Sequence, residues 1–161
     1  MNFHIRKAVK DDAKQILNLI KELAVFENEP NAVEINTEDI ISSGFGKFKD
    51  FSCFVAETNK IIVGIALVYT RFSTWKGRIL HLEDLIVSKK YRGKGIGSAL
   101  LDEVVVYASD IKAKRVSWEV LNWNISAIKF YKSKGADVKE DWNVVHLNEN
   151  GIRNYMSKLK V

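Results

Sequence analysis

With 161 residues, 47% of them hydrophobic, the chain is long enough to bury one sizeable core, so we predict a single domain over residues 1–161. Its longest apolar stretches, such as Ile61 to Tyr69, fall far short of the roughly 20 residues that a membrane-spanning helix needs. The formal net charge of +5 favours an acidic partner, but charge alone does not distinguish nucleic acid, an anionic membrane and a phosphorylated small molecule.

The cysteine and histidine residues bear on the cellular compartment and on metal binding. The single cysteine, Cys53, cannot form an internal disulfide, and the first residues lack the charged-then-apolar pattern of a secretory signal. We therefore expect a cytoplasmic protein. His4, His81 and His146 show no metal-ligand spacing, so we expect no metal, and the apolar run around Cys53 is typical of a buried strand thiol.

The first part of the chain predicts a strand, two helices and an antiparallel hairpin. The strand is the run FHIRKAV, and Asp11 or Asp12 can cap a following helix that ends before Pro30. A second, short helix is predicted to start at Thr37 and to stop near Gly44 or Gly46. The runs FSCFVAET and IIVGIALVYT are separated by the polar dipeptide NK, which indicates a hairpin.

The second part predicts alternating strands and helices. A long run, RILHLEDLIV, leads through a glycine loop into a helix from about Gly95 to Asp110, and a strand RVSWEVL and a helix from Asn124 to Lys134 follow. With a final strand pair, the order becomes β-α-α-β-β-β-α-β-α-β-β. This order indicates an α/β protein with a mixed sheet of about six to seven strands and about four helices, the later strands pairing in parallel.

The run RILHLEDLIV changes phase in its middle. Its bulkiest residues fall on even positions before the pair Glu83 and Asp84 but on odd positions after it, at Leu85 and Val87. Because strand side chains alternate strictly, such a slip can mark a β-bulge, which re-aims side chains. A strand buried on both faces would give nearly the same string, since Ile86 is apolar too, so both interpretations stay open.

The glycine loop RGKGIGS, from Arg92 to Ser98, suits a diphosphate. Amides at a helix N-terminus lack intrahelical acceptors, and glycines allow a ligand close to the backbone. The dinucleotide fingerprint fails because Ser98 stands where its third glycine belongs, and the spacing of the P-loop is absent. What remains is Arg-x-x-Gly-x-Gly after a bulged strand, although a plain helix-start loop with solvated cations is an alternative.

A second pattern lies at Asn124, in the run NISAIKFYKSKGA. Asn124 can cap a helix on which Ala127, Ile128 and Tyr131 share its face, and Gly135 supplies the stop. From spacing alone, Tyr131 is equally well explained as a core aromatic with a satisfied hydroxyl.

Together these patterns resemble the GNAT superfamily of acetyl-coenzyme A (acetyl-CoA) dependent N-acetyltransferases. The loop matches R/Q-x-x-G-x-G/A, and the second run matches N-x-x-A-x-x-F-Y-x-x-x-G. Within the superfamily the chain is most similar to the spermidine/spermine and thialysine N-acetyltransferase group over nearly its whole length. The shared runs include LIKELAVFE, DIISSGFG, HLEDLIV, YRGKGIGS and FYKSKGA.

The resemblance implies the GNAT fold and a role for each matched residue. Tyr131 would be the general acid for the departing thiolate, and Glu83 would be the base, acting through water. Acetyl-CoA would be held by Leu85, Ile86, Val87, Arg92, Gly93, Lys94, Gly95, Ile96, Gly97, Ser98, Asn124, Ser126 and Ala127. The amine channel would be lined by Phe26, Glu27, Trp75, Asp84, Trp118, Glu119 and Glu140.

The resemblance also implies a substrate class and an assembly. It indicates a small primary amine, either a polyamine or diamine or a thialysine-like amino acid, and a homodimer without nucleic-acid or membrane partners. Ser73 and Phe26 replace an aspartate and a tyrosine that are common in the polyamine enzymes, so the amine stays open. The alternatives are acetylation of a protein N-terminus or lysine, and a catalytically idle acyl-CoA-binding module.

Overall fold

The computed structural model describes residues 2–159, which form two compact units that divide between Glu119 and Val120. The first unit contains β1 (His4–Lys7), α1 (Ala13–Phe26), α2 (Thr37–Phe45), β2 (Ser52–Thr58), β3 (Ile61–Ser73), β4 (Gly77–Val87), α3 (Ile96–Asp110) and β5 (Val116–Ser117). The second contains α4 (Ile125–Ser133) and α5 (Glu149–Met156). Short 3-10 turns lie at Lys10–Asp12 and Lys89–Tyr91.

The five strands form one mixed sheet in the order β1-β2-β3-β4-β5. Strands β1 to β4 pair antiparallel, and β5 adds to β4 in parallel. The β2–β3 turn has positive φ at both Asn59 (49°) and Lys60 (64°), as a two-residue turn that follows the strand twist requires. The predicted hairpin and the parallel pairing of the later strand are therefore confirmed.

Helices cover both faces of this sheet. Alternating β2 residues separate the faces: Cys53 and Val55 belong to a core cluster with α1 and α2, whereas the Phe54 ring meets Tyr107 of α3 edge-on at 5.4 Å. On the α3 face, a Cβ at Gly64 would lie 3.0 Å from Leu100 Cδ1 and 3.4 Å from Ile96 Cγ2, both on α3, and 2.9 Å from the Ile86 carbonyl oxygen of β4. Glycine at this position therefore lets α3 pack closely over the centre of the sheet.

Ion pairs between side chains connect the start of α1 to the sheet, and Asp12 does not act as a simple helix cap. Asp12 stands at the predicted cap position, but its carboxylate accepts two hydrogen bonds from Arg6 (2.7 and 2.9 Å) and one from the Val9 N–H (2.8 Å). Arg6 also pairs with Glu57 of β2 at 2.6 Å. This network joins β1, β2 and the beginning of α1.

The prediction of a final strand pair is wrong for the described part of the second unit, which contains two helices. Within residues 2–159 the sheet has five strands, not six or seven, the α-helices number five, and the order ends β-α-α. The segment after Gly135 contains α5, whose first turn is capped by Asn148 through the Gly151 N–H at 2.8 Å. The predicted strand RVSWEVL is also shorter, because only Val116 and Ser117 pair with β4.

Candidate functional site

The predicted β-bulge is present at Glu83. Leu67 of β3 lies opposite Asp84, whereas the next residue, Val68, lies opposite Leu82, so Glu83 has no partner of its own. The alternative interpretation is correct as well for part of the strand, because every residue from Ile79 to Leu82 is buried. The bulge leaves the Glu83 side chain 53% exposed.

Beyond the bulge, burial departs from the prediction. Ile86 is buried, whereas Leu85 and Val87, which the phase slip marked as the principal apolar residues, are only half-buried. The strand β5 pairs with β4 only at Leu80 and His81. From Leu82 onward, no strand among residues 2–159 pairs with that side of β4.

Three carboxylates lie close together at the bulge. Burial, helped by the charges of Glu83 and Glu27, raises the pKa of Asp84 to about 6. Glu27 lies at the C-terminal cap of α1, and desolvation raises the pKa of its carboxyl group too. Such a group of acids is suited to an ammonium ion, which would relieve their mutual repulsion.

Two aromatic side chains flank Glu83, and the sequence analysis did not assign either to the site. The ring centroids of Tyr69 on β3 and His81 on β4 are 5.0 Å apart, and His81 Nε2 lies 3.5 Å from Glu83 Oε2. Burial raises the pKa of Tyr69, as do the negative charges of Glu83 and Glu119. The His81 contact follows from the two-residue strand spacing, but the Tyr69 contact depends on register between strands.

The glycine loop has the geometry of an anion site. Gly93 and Gly95 have φ values of 74° and 81°, and a Cβ at either would have no neighbour within 4 Å. Gly95 stands immediately before Ile96, the first residue of the 15-residue helix α3, whose leading N–H groups have no acceptor within the helix. Such amides at a helix N-terminus are a common binding site for an anion.

The α1 helix supports this loop. The Arg92 Nε donates a hydrogen bond to the Val87 carbonyl at 2.9 Å, and its guanidinium lies 5.0 Å from the centroid of the Phe26 ring. One turn earlier, Glu22 accepts a hydrogen bond from the Lys89 N–H at 2.7 Å. Phe26, assigned by resemblance to the amine channel, therefore contacts a residue of the glycine loop.

The remaining predicted site residues of the first unit lie at its surface or edge. Trp75, in the β3–β4 turn, is 81% exposed, and the Ser73 hydroxyl accepts hydrogen bonds at 3.3 Å from the N–H groups of Trp75 and Lys76. Trp118 is half-buried and Glu119 is exposed after β5. Ser73 thus shapes the turn that presents Trp75.

In the second unit, α4 has the predicted cap and face. Asn124 accepts a hydrogen bond from the Ala127 N–H at 3.2 Å, and Gly135 has a φ of 84°. Tyr131 is buried, which raises the pKa of its phenol, while Ser126 is exposed. Glu140 is exposed in a segment without helix or strand.

The sequence matches the Acetyltransferase (GNAT) family over residues 13–136, which span the bulged strand, the glycine loop and α4. The chain belongs to the GNAT acetyltransferase family. It is thus an acyltransferase by family, and the GNAT family implies acetyl-CoA as the acetyl donor.

Two relatives are consistent with GNAT membership, and one solved structure shares the fold. The chain is 36% identical to the thialysine N-epsilon-acetyltransferase of Bos taurus, over 96% of this chain and 97% of that protein. It is also 36% identical to a human spermidine/spermine N(1)-acetyltransferase-like protein, over 91% of this chain but only 22% of that longer protein. An integron cassette protein from V. cholerae shares the fold, with a TM-score of 0.79, 24% identity and 99% coverage of both chains.

Residues 2–159 contain no helix long and apolar enough to cross a membrane, and no group of three potential metal ligands. Cys53 is buried, which raises the pKa of its thiol, so it is a poor nucleophile.

Proposed function

We propose that this protein transfers the acetyl group of acetyl-CoA directly to a primary amine of a small molecule, a polyamine or diamine or a thialysine-like amino acid. In this proposal both units act as one domain, Glu83 is the water-assisted base and Tyr131 is the general acid. The observation that carries the proposal is the β-bulge at Glu83, with Asp84 and Glu27 beside it.

The base answers a definite chemical need. An alkylamine with a pKa of about 10.4 is almost wholly protonated at neutral pH and cannot attack a thioester until it loses a proton. Glu83 is exposed enough to reach that proton through one water molecule. Burial raises the pKa values of both Asp84 and Glu27, and the charges of Glu83 and Glu27 raise that of Asp84 further, so an ammonium ion beside these carboxylates would stabilise their ionised forms.

The acid and the donor site fit the same reaction. When bound, acetyl-CoA supplies an acetyl thioester and a thiolate leaving group. Burial keeps the Tyr131 phenol protonated at neutral pH, so it can donate to that thiolate and regain a proton from solvent. The open amides and positive-φ glycines of the loop fit a diphosphate, and the exposed cations Lys89, Lys90, Arg92 and Lys94 favour its charge.

The predicted contacts divide between these ligands. Leu85, Ile86 and Val87 would pair with the pantetheine arm along the open side of β4, with Asn124, Ser126 and Ala127 on α4 completing its site. Trp75, Trp118, Glu119 and Glu140 would line the amine channel with Glu27. As the resemblance implies, we propose a cytoplasmic homodimer in which channel residues cross between the two chains.

The test is acetyl-CoA-dependent thiol release with purified protein. The panel comprises spermidine, spermine, putrescine, thialysine, lysine and a lysine peptide, assayed with the wild type, Glu83→Gln and Tyr131→Phe. We expect turnover of a small amine and a loss on the order of 10² to 10⁴ in kcat for each variant. Tyr155→Phe, an exposed tyrosine on α5, is the matched control and should retain full activity.

Each contrary result selects a different function. Preference for the peptide would replace the small amine with a protein substrate. Silence across the panel, together with tight acetyl-CoA binding, would indicate an idle binding module. Full activity of Glu83→Gln or Tyr131→Phe would remove that residue from the proposed mechanism.

A further inference from the structure

A buried histidine lies directly beside the proposed base. His81 is 7% exposed, and its Nε2 lies 3.5 Å from Glu83 Oε2. Its Nδ1 lies 3.4 Å from the Ser117 Oγ on β5, and the Tyr69 ring on β3 stacks against it in a tilted geometry. Three adjacent strands therefore fix the position of this imidazole.

We propose that His81 is a positioning residue for Glu83, held in turn by Ser117. The Ser117 hydroxyl donates to Nδ1, which leaves the ring proton on Nε2, the nitrogen that faces Glu83. The chain Ser117 to His81 to Glu83 then aims the carboxylate toward the amine. This inference rests on the proposed function, in which Glu83 is the base.

The bulge creates the need for such a partner. Glu83 has no opposite residue on β3 and a side chain that is 53% exposed, so it is held by its contact with His81 and by a hydrogen bond with the Tyr69 side chain. A base must be held near its productive geometry to act efficiently. A ring fixed between strands supplies that constraint, which a freely solvated carboxylate lacks.

His81 should also affect the pH range of the activity, through the charges around Glu83. The charged and titratable groups around His81 and Glu83 are Asp84 on β4, Tyr69 and Arg71 on β3, Glu119 after β5 and Glu27 at the end of α1. Three of these five are carboxylates, so negative charge predominates around the two side chains. A donor on Nε2 stabilises the ionised carboxylate and so extends the activity to lower pH.

The experiment compares His81→Asn, Ser117→Ala and a control, His4→Asn. His4 is exposed on the same sheet, with its Nε2 3.9 Å from Glu57, and lies outside the site. For the best amine of the panel, we expect His81→Asn to lower kcat/KM about tenfold at pH 7, the size of one hydrogen bond to a charged group. In His81→Asn, the acid limb of the pH–activity profile should move to higher pH, and the KM for acetyl-CoA should not change. Ser117→Ala should show a smaller shift of this limb, and His4→Asn should show none.

A double-mutant cycle separates positioning from a merely structural role. In the Glu83→Gln background, His81→Asn should cause no further loss, because the two residues act as one unit. An additive loss, or an unmoved acid limb, would overturn the inference while leaving Glu83 as the base. Wild-type activity in Glu83→Gln would instead overturn the base assignment itself, and this inference with it.

A measurement on the unmutated ring covers the case in which His81→Asn does not fold. The chain has three histidines, so the imidazole nitrogen signals can be assigned by NMR. We expect His81 to carry its proton on Nε2 in the wild type, and that signal to move in Glu83→Gln. A neutral ring protonated on Nδ1 would contradict the proposed chain.

Discussion

Glu83 and Asp84 are adjacent residues, but the β-bulge gives their carboxylates different exposure to solvent. Glu83 has a 53% exposed side chain, whereas burial and the charges of Glu83 and Glu27 raise the pKa of Asp84 to about 6. A carboxylate in such a place costs folding free energy, since its charged form is disfavoured in the native state. A cationic substrate would lower this cost, because it stabilises the ionised form of the buried carboxylate.

We predict that Asp84→Asn stabilises the substrate-free protein at neutral pH. The folded pKa of about 6 lies above the usual 3.8, so the folded state holds the proton more tightly and loses stability as pH rises from about 4 to 6. At pH 7.5 the substitution should raise the free energy of unfolding by about 1 to 3 kcal/mol. Below pH 4 the difference should vanish.

Urea unfolding at a series of pH values checks this prediction. Asp50→Asn is the matched control, because Asp50 is exposed, and its unfolding curve should follow the wild type at each pH. A destabilised Asp84→Asn protein at pH 7.5 would mean that Asp84 has a favourable partner in its charged form. The same variant should bind a diamine more weakly, which would separate stability from recognition.

At the scale of the element, the start of α3 combines two glycines with different requirements. Gly95 has a φ of 81°, a left-handed conformation that side chains disfavour, whereas Gly97 lies inside the helix with a Cβ position 3.7 Å from Val87 Cγ2. Alanine is therefore tolerated sterically at Gly97 and strained at Gly95. The loop geometry depends on the first of these glycines.

We predict opposite outcomes for alanine at these two positions. Gly95→Ala should cost about 1 to 2 kcal/mol of stability and raise the KM for acetyl-CoA, because the loop must leave its left-handed turn. Gly97→Ala should keep or slightly increase stability, since alanine favours a helix interior by about 1 kcal/mol over glycine. Thermal unfolding and acetyl-CoA titration measure both effects. Equal losses of stability and of acetyl-CoA binding in the two variants would contradict the role given to the left-handed conformation of Gly95.

The elements that sequence predicted well are those with local signals. Hairpin β2–β3, the Asn124 cap and the bulge at Glu83 each follow from a few adjacent residues. The final strand pair was wrong: Val144 and Val145 are typical strand residues, but a strand also needs a neighbour to pair with. The α5 helix did have a local signal, the cap at Asn148, which the strand interpretation overlooked.

The site was predictable only where its contacts lie along the chain. Glu83 and the glycine loop come from one continuous stretch, and their motifs are readable in the sequence. Tyr69 and Ser117 reach Glu83 and His81 from neighbouring strands, and Phe26 reaches Arg92 from α1. Such contacts depend on register and helix packing, which side-chain periodicity does not determine.

At the scale of the whole molecule, the β3–β4 hairpin extends beyond the rest of the sheet. The β2 strand reaches only to Val68, whereas β3 continues to Ser73 paired with β4. Within residues 2–159, no strand pairs with the β3 edge of this extension, and the hairpin carries Phe72 and Trp75, which are 78% and 81% exposed. An unpaired edge with large aromatic side chains is a typical surface for another chain.

We therefore predict that this hairpin joins the two chains of the proposed homodimer, and that Phe72→Glu disrupts it. Sedimentation should give twice the 18.4 kDa chain mass for the wild type and a lower mass for the variant, because a charge at the interface would be desolvated. Since Trp75 lies on this hairpin, the variant that loses the dimer should also have a lower kcat/KM for the amine. Its binding of acetyl-CoA should persist. Phe48→Glu, at an equally exposed phenylalanine (79%) outside the hairpin, should remain dimeric. A monomeric wild type with full activity would contradict both the interface and the sharing of channel residues between chains.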